Sequence, residues 1–235
     1  DANFCWLTMK VGVLFSGGKD STLALHKIAE KGDEVSCLIT ILSLNPESYM
    51  FHTPNIGITY LQAEALGLPV VAKETEGKKE VEVADLEDAV VQAKKDFGIE
   101  GVVTGAVASM YQAERIQRIC SRLDLCCFNP LWRHNQKGLL EELVLRNFKV
   151  IISGVFAYPL DEKWLGKELN FEVIEKLVVL QQKFGLSPSG EGGEIETTVL
   201  DAPLFKKKIE ILEFATEARG NSGVFRIKKA RLIPK

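Results

Sequence analysis

The sequence predicts an α/β protein, a parallel sheet flanked by helices, with a smaller α+β lobe after it. Three observations carry that expectation. Short β-rich runs alternate with segments of helical apolar spacing through roughly the first 130 residues, and such alternation makes a parallel sheet with helices on its faces. The crossing from the first run to the first helix is a glycine-rich turn, Ser16-Gly17-Gly18-Lys19-Asp20-Ser21. After about residue 133 the alternation stops and three β-rich stretches close the sequence. The expected organisation is residues 9–133 as one unit and residues 134–235 as a dependent second lobe.

The elements follow in order. Residues 10–15 are an apolar run of strand length, and residues 21–31 then place Leu23, Leu25, Ile28 and Ala29 at helical spacing, with Gly32 where a helix stop belongs. Residues 35–42 form the second strand. Residues 43–55, with two prolines and little periodicity, read as a loop. Helix 56–66 closes at Gly67, and strand 70–74 leads into a charged loop at 75–82. Helix 85–97, strand 101–105, helix 111–123 and strand 125–128 complete the alternation. Beyond it come a helix at 138–146, a strand at 149–155, a helix-rich stretch at 161–184 and a Gly/Ser/Pro-rich segment at 185–193. The last three stretches, at 196–200, 207–216 and 223–230, are β-rich. Right-handed crossovers put the C-terminal ends of parallel strands along one edge, so the loops after strands one, two and four should line one cleft.

Composition narrows the function classes. The chain has 235 residues with 46% hydrophobic and 26% charged side chains and a net charge of −3, which is neither a disordered chain nor the footprint of a dedicated nucleic-acid binder. Residues 134–235 hold 16 basic and 14 acidic side chains, net +2. No apolar stretch reaches the roughly 18 residues of a membrane-spanning helix. The five cysteines, Cys5, Cys37, Cys120, Cys126 and Cys127, are odd in number and form no C-x-x-C pair. Reduced thiols in a cytoplasmic protein are expected rather than a disulfide framework or zinc site. Residues 1–8 lack a basic n-region and their apolar run is too short for a signal peptide, and Met9 is the expected natural start. Lysines 206–208 with Lys228, Lys229 and Arg231 read as guards of sheet edges.

The glycine-rich turn carries the first chemical signal. Adjacent glycines let backbone approach a ligand, and successive N–H groups before a helix make an anion nest. Ser16 and Ser21 add hydroxyl donors and Lys19 a point charge. It is neither a Walker A loop nor G-x-G-x-x-G. S-G-G-K-D-S on a strand–loop–helix resembles the N-type ATP pyrophosphatases, which cleave ATP between its α and β phosphates. The resemblance implies a Rossmann-like, PP-loop type of sheet in which residues 16–21 bind ATP.

Further segments bear on the choice within that superfamily. Ser48-Tyr49-Met50-Phe51-His52 is an apolar loop after strand two, where Met50 and Phe51 can wall an adenine ring or anchor the loop to the core. Gly105-Ala106 ends strand four with small residues that admit a nucleotide or simply allow close packing. Tyr111, Gln112 and Arg115 open the next helix, with Gln112 and Arg115 on one face; Arg115 can meet a phosphate, a carboxylate or a surface acid. In Glu191-Gly192-Gly193-Glu194-Ile195-Glu196-Thr197, three acids bracket two glycines. They can bind Mg²⁺, take a proton from ammonia, hold a cation, or form a solvated loop. Together with Pro130-Leu131-Trp132 and S-G-G-K-D-S, these segments are similar to the diphthine–ammonia ligases, also called diphthamide synthetases.

That resemblance implies amide formation from a carboxylate, ammonia and ATP through an acyl adenylate, with AMP and pyrophosphate released. ATP would be held by Ser16, Gly17, Gly18, Lys19, Asp20 and Ser21 together with Ile41, Met50, Phe51, His52, Gly105 and Ala106. Lys19, Asp20, Arg115, Glu191, Glu194 and Glu196 would serve catalysis, with Asp20 also at Mg²⁺. Tyr111, Gln112, Gly192, Gly193 and Thr197 would meet the substrate. The implied acceptor is diphthine on elongation factor 2; no membrane or nucleic-acid partner is expected, and a homodimer is the ordinary assembly. Two other readings stay open: a PP-loop tRNA-modifying enzyme, and a nucleotide-binding sensor without catalysis.

Overall fold

The computed structural model describes residues 8–43, 54–78 and 81–235. Met50, Phe51 and His52 lie outside the described residues, as do residues 1–7. Five strands, β1 (Lys10–Leu14), β2 (Glu34–Ser43), β3 (Val70–Thr75), β4 (Gly101–Val103) and β5 (Cys126–Phe128), form a parallel sheet in the order β3-β2-β1-β4-β5. The expected Rossmann-like arrangement is thus present. The strand order reverses between β1 and β4, and the crevice outside their C-terminal ends is where such sheets receive ligands.

Helices cover both faces. On one lie α1 (Lys19–Glu30) and α2 (Thr59–Leu66); on the other lie α3 (Val81–Phe97) and α4 (Met110–Arg122). Leu86, Val90, Ile116 and Ile119 from α3 and α4 pack with Cys37, Ile39 and Val102 of the sheet. Gly32 and Gly67 sit at φ +98° and +72°, the left-handed conformation that ends α1 and α2. Helix α3 starts four residues before the expected position, because Val83 and Leu86 join the core beneath the charged-looking segment. The expected helix at 56–66 divides into a single tight turn, Ile56–Ile58, and α2.

The second lobe supplies α5 (Gln136–Leu145), β6 (Lys149–Val155), α6 (Phe171–Phe184), β7 (Ile195–Asp201), β8 (Lys207–Arg219) and β9 (Ser222–Pro234). Its sheet runs β7-β6-β9-β8 with antiparallel pairing throughout. The two final β-rich stretches are one long hairpin, turned at Gly220 and Asn221. The helix-rich stretch at 161–184 keeps only a three-residue turn at Glu162–Trp164 before α6, which Asn170 caps by accepting from the Val173 N–H at 2.9 Å.

Helix α1 lies between the two sheets. Leu23, Leu25 and Ile28 share one continuous core with Val11 and Val13 of β1 and with Val150, Ile152 and Val199 of the second sheet. Burying each such side chain contributes about 1.5–3 kcal/mol. A helix covered on two sides must also satisfy its polar groups internally. His26 does so: Nδ1 meets the Thr22 carbonyl at 2.7 Å, and Nε2 accepts the Leu204 N–H at 3.0 Å. The Nδ1–H tautomer fits both partners, and the ring packs on Phe148 with centroids 4.7 Å apart.

Burial lowers the His26 pKa below its ordinary value, against the pull of the Thr22 carbonyl. A group that resists protonation when folded stabilises the fold above its unfolded pKa and loses that contribution as pH falls. The melting temperature should therefore drop as pH is lowered from about 6.5, and His26→Leu should remove this acid limb. At neutral pH the same change should cost about 1–3 kcal/mol, by leaving the Leu204 N–H without its acceptor. Thermal melts across pH check both.

Candidate active site

The crevice at the β1/β4 switch is a cleft of about 600 Å³. Its walls come from both lobes: Ser16, Gly18, Lys19, Asp20 and Ser21 after β1; Thr104, Gly105, Ala106 and Ser109 after β4; Gln112 of α4; and Glu191, Gly192, Gly193, Glu196 and Thr197 from the second lobe. Ile41 lines it, as expected.

The loop after β1 is built as an anion cradle. Gly17 adopts φ +76°, and a Cβ there would lie 2.1 Å from Gln62 Oε1. Gly18 caps α1 with no side-chain partner, so the amides at the start of α1 beyond that of Lys19 have no preceding turn to accept them and begin the helix at the cleft wall. The Ser21 hydroxyl donates to the Gly18 carbonyl at 3.2 Å and lies 3.3 Å from the Ser16 hydroxyl.

Three ties hold this loop to the second lobe. The Lys19 N–H donates to Thr197 Oγ1 at 3.1 Å, the Val199 N–H to the Gly17 carbonyl at 3.0 Å, and Gln62 Nε2 to both the Gly17 and Val199 carbonyls at 2.9 and 2.7 Å. Thr197, expected to meet substrate, lines the cleft but spends its hydroxyl oxygen on the loop. Gln62 carries no motif signal; a glutamine in a short helix reads as surface, yet this one is fully buried.

One lysine faces three acids. Lys19, 4% exposed, pairs with Asp20 at 2.6 Å. Burial works against its charge, but Asp20, Glu191 and Glu196 outweigh burial and hold its pKa above the ordinary value. Burial, aided by Asp20 and opposed by Lys19, pushes Glu196 up to about 7. Glu191 is raised as well, first by burial and then by Asp20, although the Ala108 amide and Ser189 hydroxyl hydrogen-bond to it. Asp20 Oδ1 is buried with no hydrogen-bond partner among the described residues. An unpartnered carboxylate oxygen in an anion cradle is a donor that suits Mg²⁺, which takes one or two carboxylates and completes its shell with phosphate and water. No cluster of three or more metal-ligating side chains exists among the described residues.

Other expected site residues stand elsewhere. Glu194 is absent from the cleft lining; its carboxylate accepts the Ser187 and Gly192 amides at 3.1 and 2.9 Å and closes its own loop. Arg115 stacks on Tyr111, its guanidinium carbon 3.4 Å from the ring centroid, and of that helix face Gln112 reaches the cleft while Arg115 does not line it. Gly105 lines the cleft, but a Cβ there would sit 2.7 Å from the Ser21 nitrogen, so glycine is required by backbone packing. Phe156, which follows β6, lines the cleft without a sequence signal.

Comparison with known proteins covers nearly the whole chain. The family described as the diphthamide synthase N-terminal domain matches residues 9–126, and the diphthamide synthase C-terminal domain matches residues 135–233. A mouse diphthine–ammonia ligase is 37% identical over 225 residues, 86% of this chain and 83% of its own. The human protein of that name is 35% identical over 223 residues, covering 86% and 82%. The zebrafish one is 36% identical over 224 residues, covering 86% of each.

Two outcomes follow from the geometry. Gly105→Ala should cost about 1–3 kcal/mol by overpacking, seen in chemical denaturation. For Glu196, a pKa raised on folding is a penalty that is absent below about pH 4.5 and complete above about pH 7. Glu196→Gln should thus be more stable than the parent at pH 8, by of order 1–3 kcal/mol, and the gap should close by pH 4.5.

Proposed function

The chain belongs to the diphthamide synthase family, and from that premise we propose how its cleft works. It is a ligase that couples ATP cleavage to amidation of diphthine, giving diphthamide. The observation that carries the mechanism is the convergence of two segments on one cleft: the Lys19 amide is bonded to Thr197, 178 residues away, so the loop built for phosphates and the acids of the second lobe form one site.

A carboxylate is a poor acyl donor because its oxygen leaves badly. The acceptor carboxylate attacks the α-phosphorus of ATP, forming an acyl adenylate and expelling pyrophosphate. Ammonia then adds to the acyl carbon and AMP departs. Bound Mg²⁺, with Asp20 as its protein ligand, supplies charge neutralisation for the polyphosphate. The chain's own groups position and neutralise. The amides at the start of α1 and the Ser16 and Ser21 hydroxyls hold the departing pyrophosphate. Lys19, kept charged by its acidic neighbours, offsets the charge that develops there. Glu196, poised near neutrality, takes the proton that the attacking nitrogen must shed. The acceptor is diphthine on elongation factor 2, and ammonia enters as such.

The direct test incubates the chain with diphthine-bearing elongation factor 2, ATP, Mg²⁺ and ammonium. AMP and amide should form in equal amounts, and ATP bound without AMP release would defeat the reading in favour of a sensor. Lys19→Ala should lower AMP formation by at least about 100-fold, the scale of losing one charge-stabilising contact in a transition state. Glu196→Gln should flatten the rise in rate through pH 7 that the parent shows.

A further inference from the structure

We infer that Gln62 is a positioning residue for the nucleotide: it holds the Gly17 carbonyl away from the cleft and so aims the next amide at the phosphates. The inference rests on the reading of residues 16–21 as the ATP-binding loop.

Gln62 sits in α2, fully buried, where three segments meet. Its Nε2 donates to the carbonyls of Gly17, at 2.9 Å, and Val199, at 2.7 Å. The Val199 N–H donates to the same Gly17 oxygen at 3.0 Å, so two donors fix that carbonyl. A trans peptide is planar, and its C=O and following N–H point in opposite directions. With the Gly17 oxygen pinned on α2 and β7, the Gly18 N–H must face the other side. Among the described residues it meets there a long contact, 3.4 Å to the Ser16 hydroxyl of the cleft wall. A phosphate oxygen would be the better acceptor for that amide.

The other half of the Gln62 side chain points to the same role. Oε1 is buried with no hydrogen-bond partner among the described residues, and it presses on Gly17 so closely that no Cβ fits there. The unpartnered Oε1 is itself a cost to stability, offset by the two carbonyls that the Nε2 end satisfies. Leucine or methionine would remove the unpartnered oxygen but also the donor that fixes the loop.

The test replaces Gln62 with methionine in the full chain and measures ATP affinity by calorimetry with Mg²⁺, the KM for each substrate, and the melting temperature. Gln62→Met should bind ATP at least about tenfold more weakly and raise the KM for ATP, leaving the KM for the acceptor unchanged, while the melting temperature falls modestly as the Val199 carbonyl loses its Gln62 donor. Parental ATP affinity in the variant would overturn the inference. A folded variant whose two KM values rise together would overturn it as well. If Gln62→Met does not fold, Gln62→Asn, which keeps a buried amide one methylene short of both acceptors, decides by the same readouts. A parent chain that fails to bind ATP is a separate outcome, and it refutes the assigned function instead.

Discussion

The Gly17 carbonyl is the point on which the molecule turns. It belongs to the parallel-sheet lobe, yet its hydrogen bonds come from Gln62 of α2 and from Val199 in the second sheet. An anion cradle works only when its amides are held in place, because a flexible loop would have to be ordered at each binding event. Here that order is supplied by burial. Helix α1 lies between two sheets, so the loop that begins it is gripped from both sides. The need for glycine at positions 17 and 105 follows, since side chains there would meet Gln62 and the α1 backbone.

The same burial sets the charges. Lys19 stays protonated because Asp20, Glu191 and Glu196 lie around it, and Glu191 and Glu196 resist ionisation first because they are buried and then because the Asp20 charge is near. An empty cleft is therefore electrostatically frustrated. Glu196 is the most sensitive reporter of that balance, as its proton sits near neutrality while the cleft is empty.

The parallel sheet was legible because β1 to β5 are short, apolar and punctuated by glycine, and because helical spacing in α1 and α4 is plain. The start of α3 was not, since its anchors Val83 and Leu86 sit among acidic residues. In the cleft, S-G-G-K-D-S announced itself through residue types that a mere turn does not need. The three glutamates of the second lobe did not sort themselves: only tertiary contacts separate Glu191 and Glu196, which face Lys19, from Glu194, which bonds its own loop. For Arg115 the sequence offers a phosphate, a carboxylate or a surface acid, and the stacking on Tyr111 is a contact it does not announce. Gln62 is the clearest case of information absent from the string, because its meaning lies in two carbonyls, one 45 and one 137 residues away.

Those separations have a consequence for how the protein comes into being. Contacts between distant parts of a chain form slowly, because closing a long loop comes before any reward. During synthesis at about 5–20 residues per second, the nucleotide loop would emerge roughly ten seconds or more before Thr197 and Val199 arrive to shape it. Competence to handle ATP is then the last property acquired by the nascent polypeptide, and an interrupted translation product would carry the signature hexapeptide without being able to consume nucleotide.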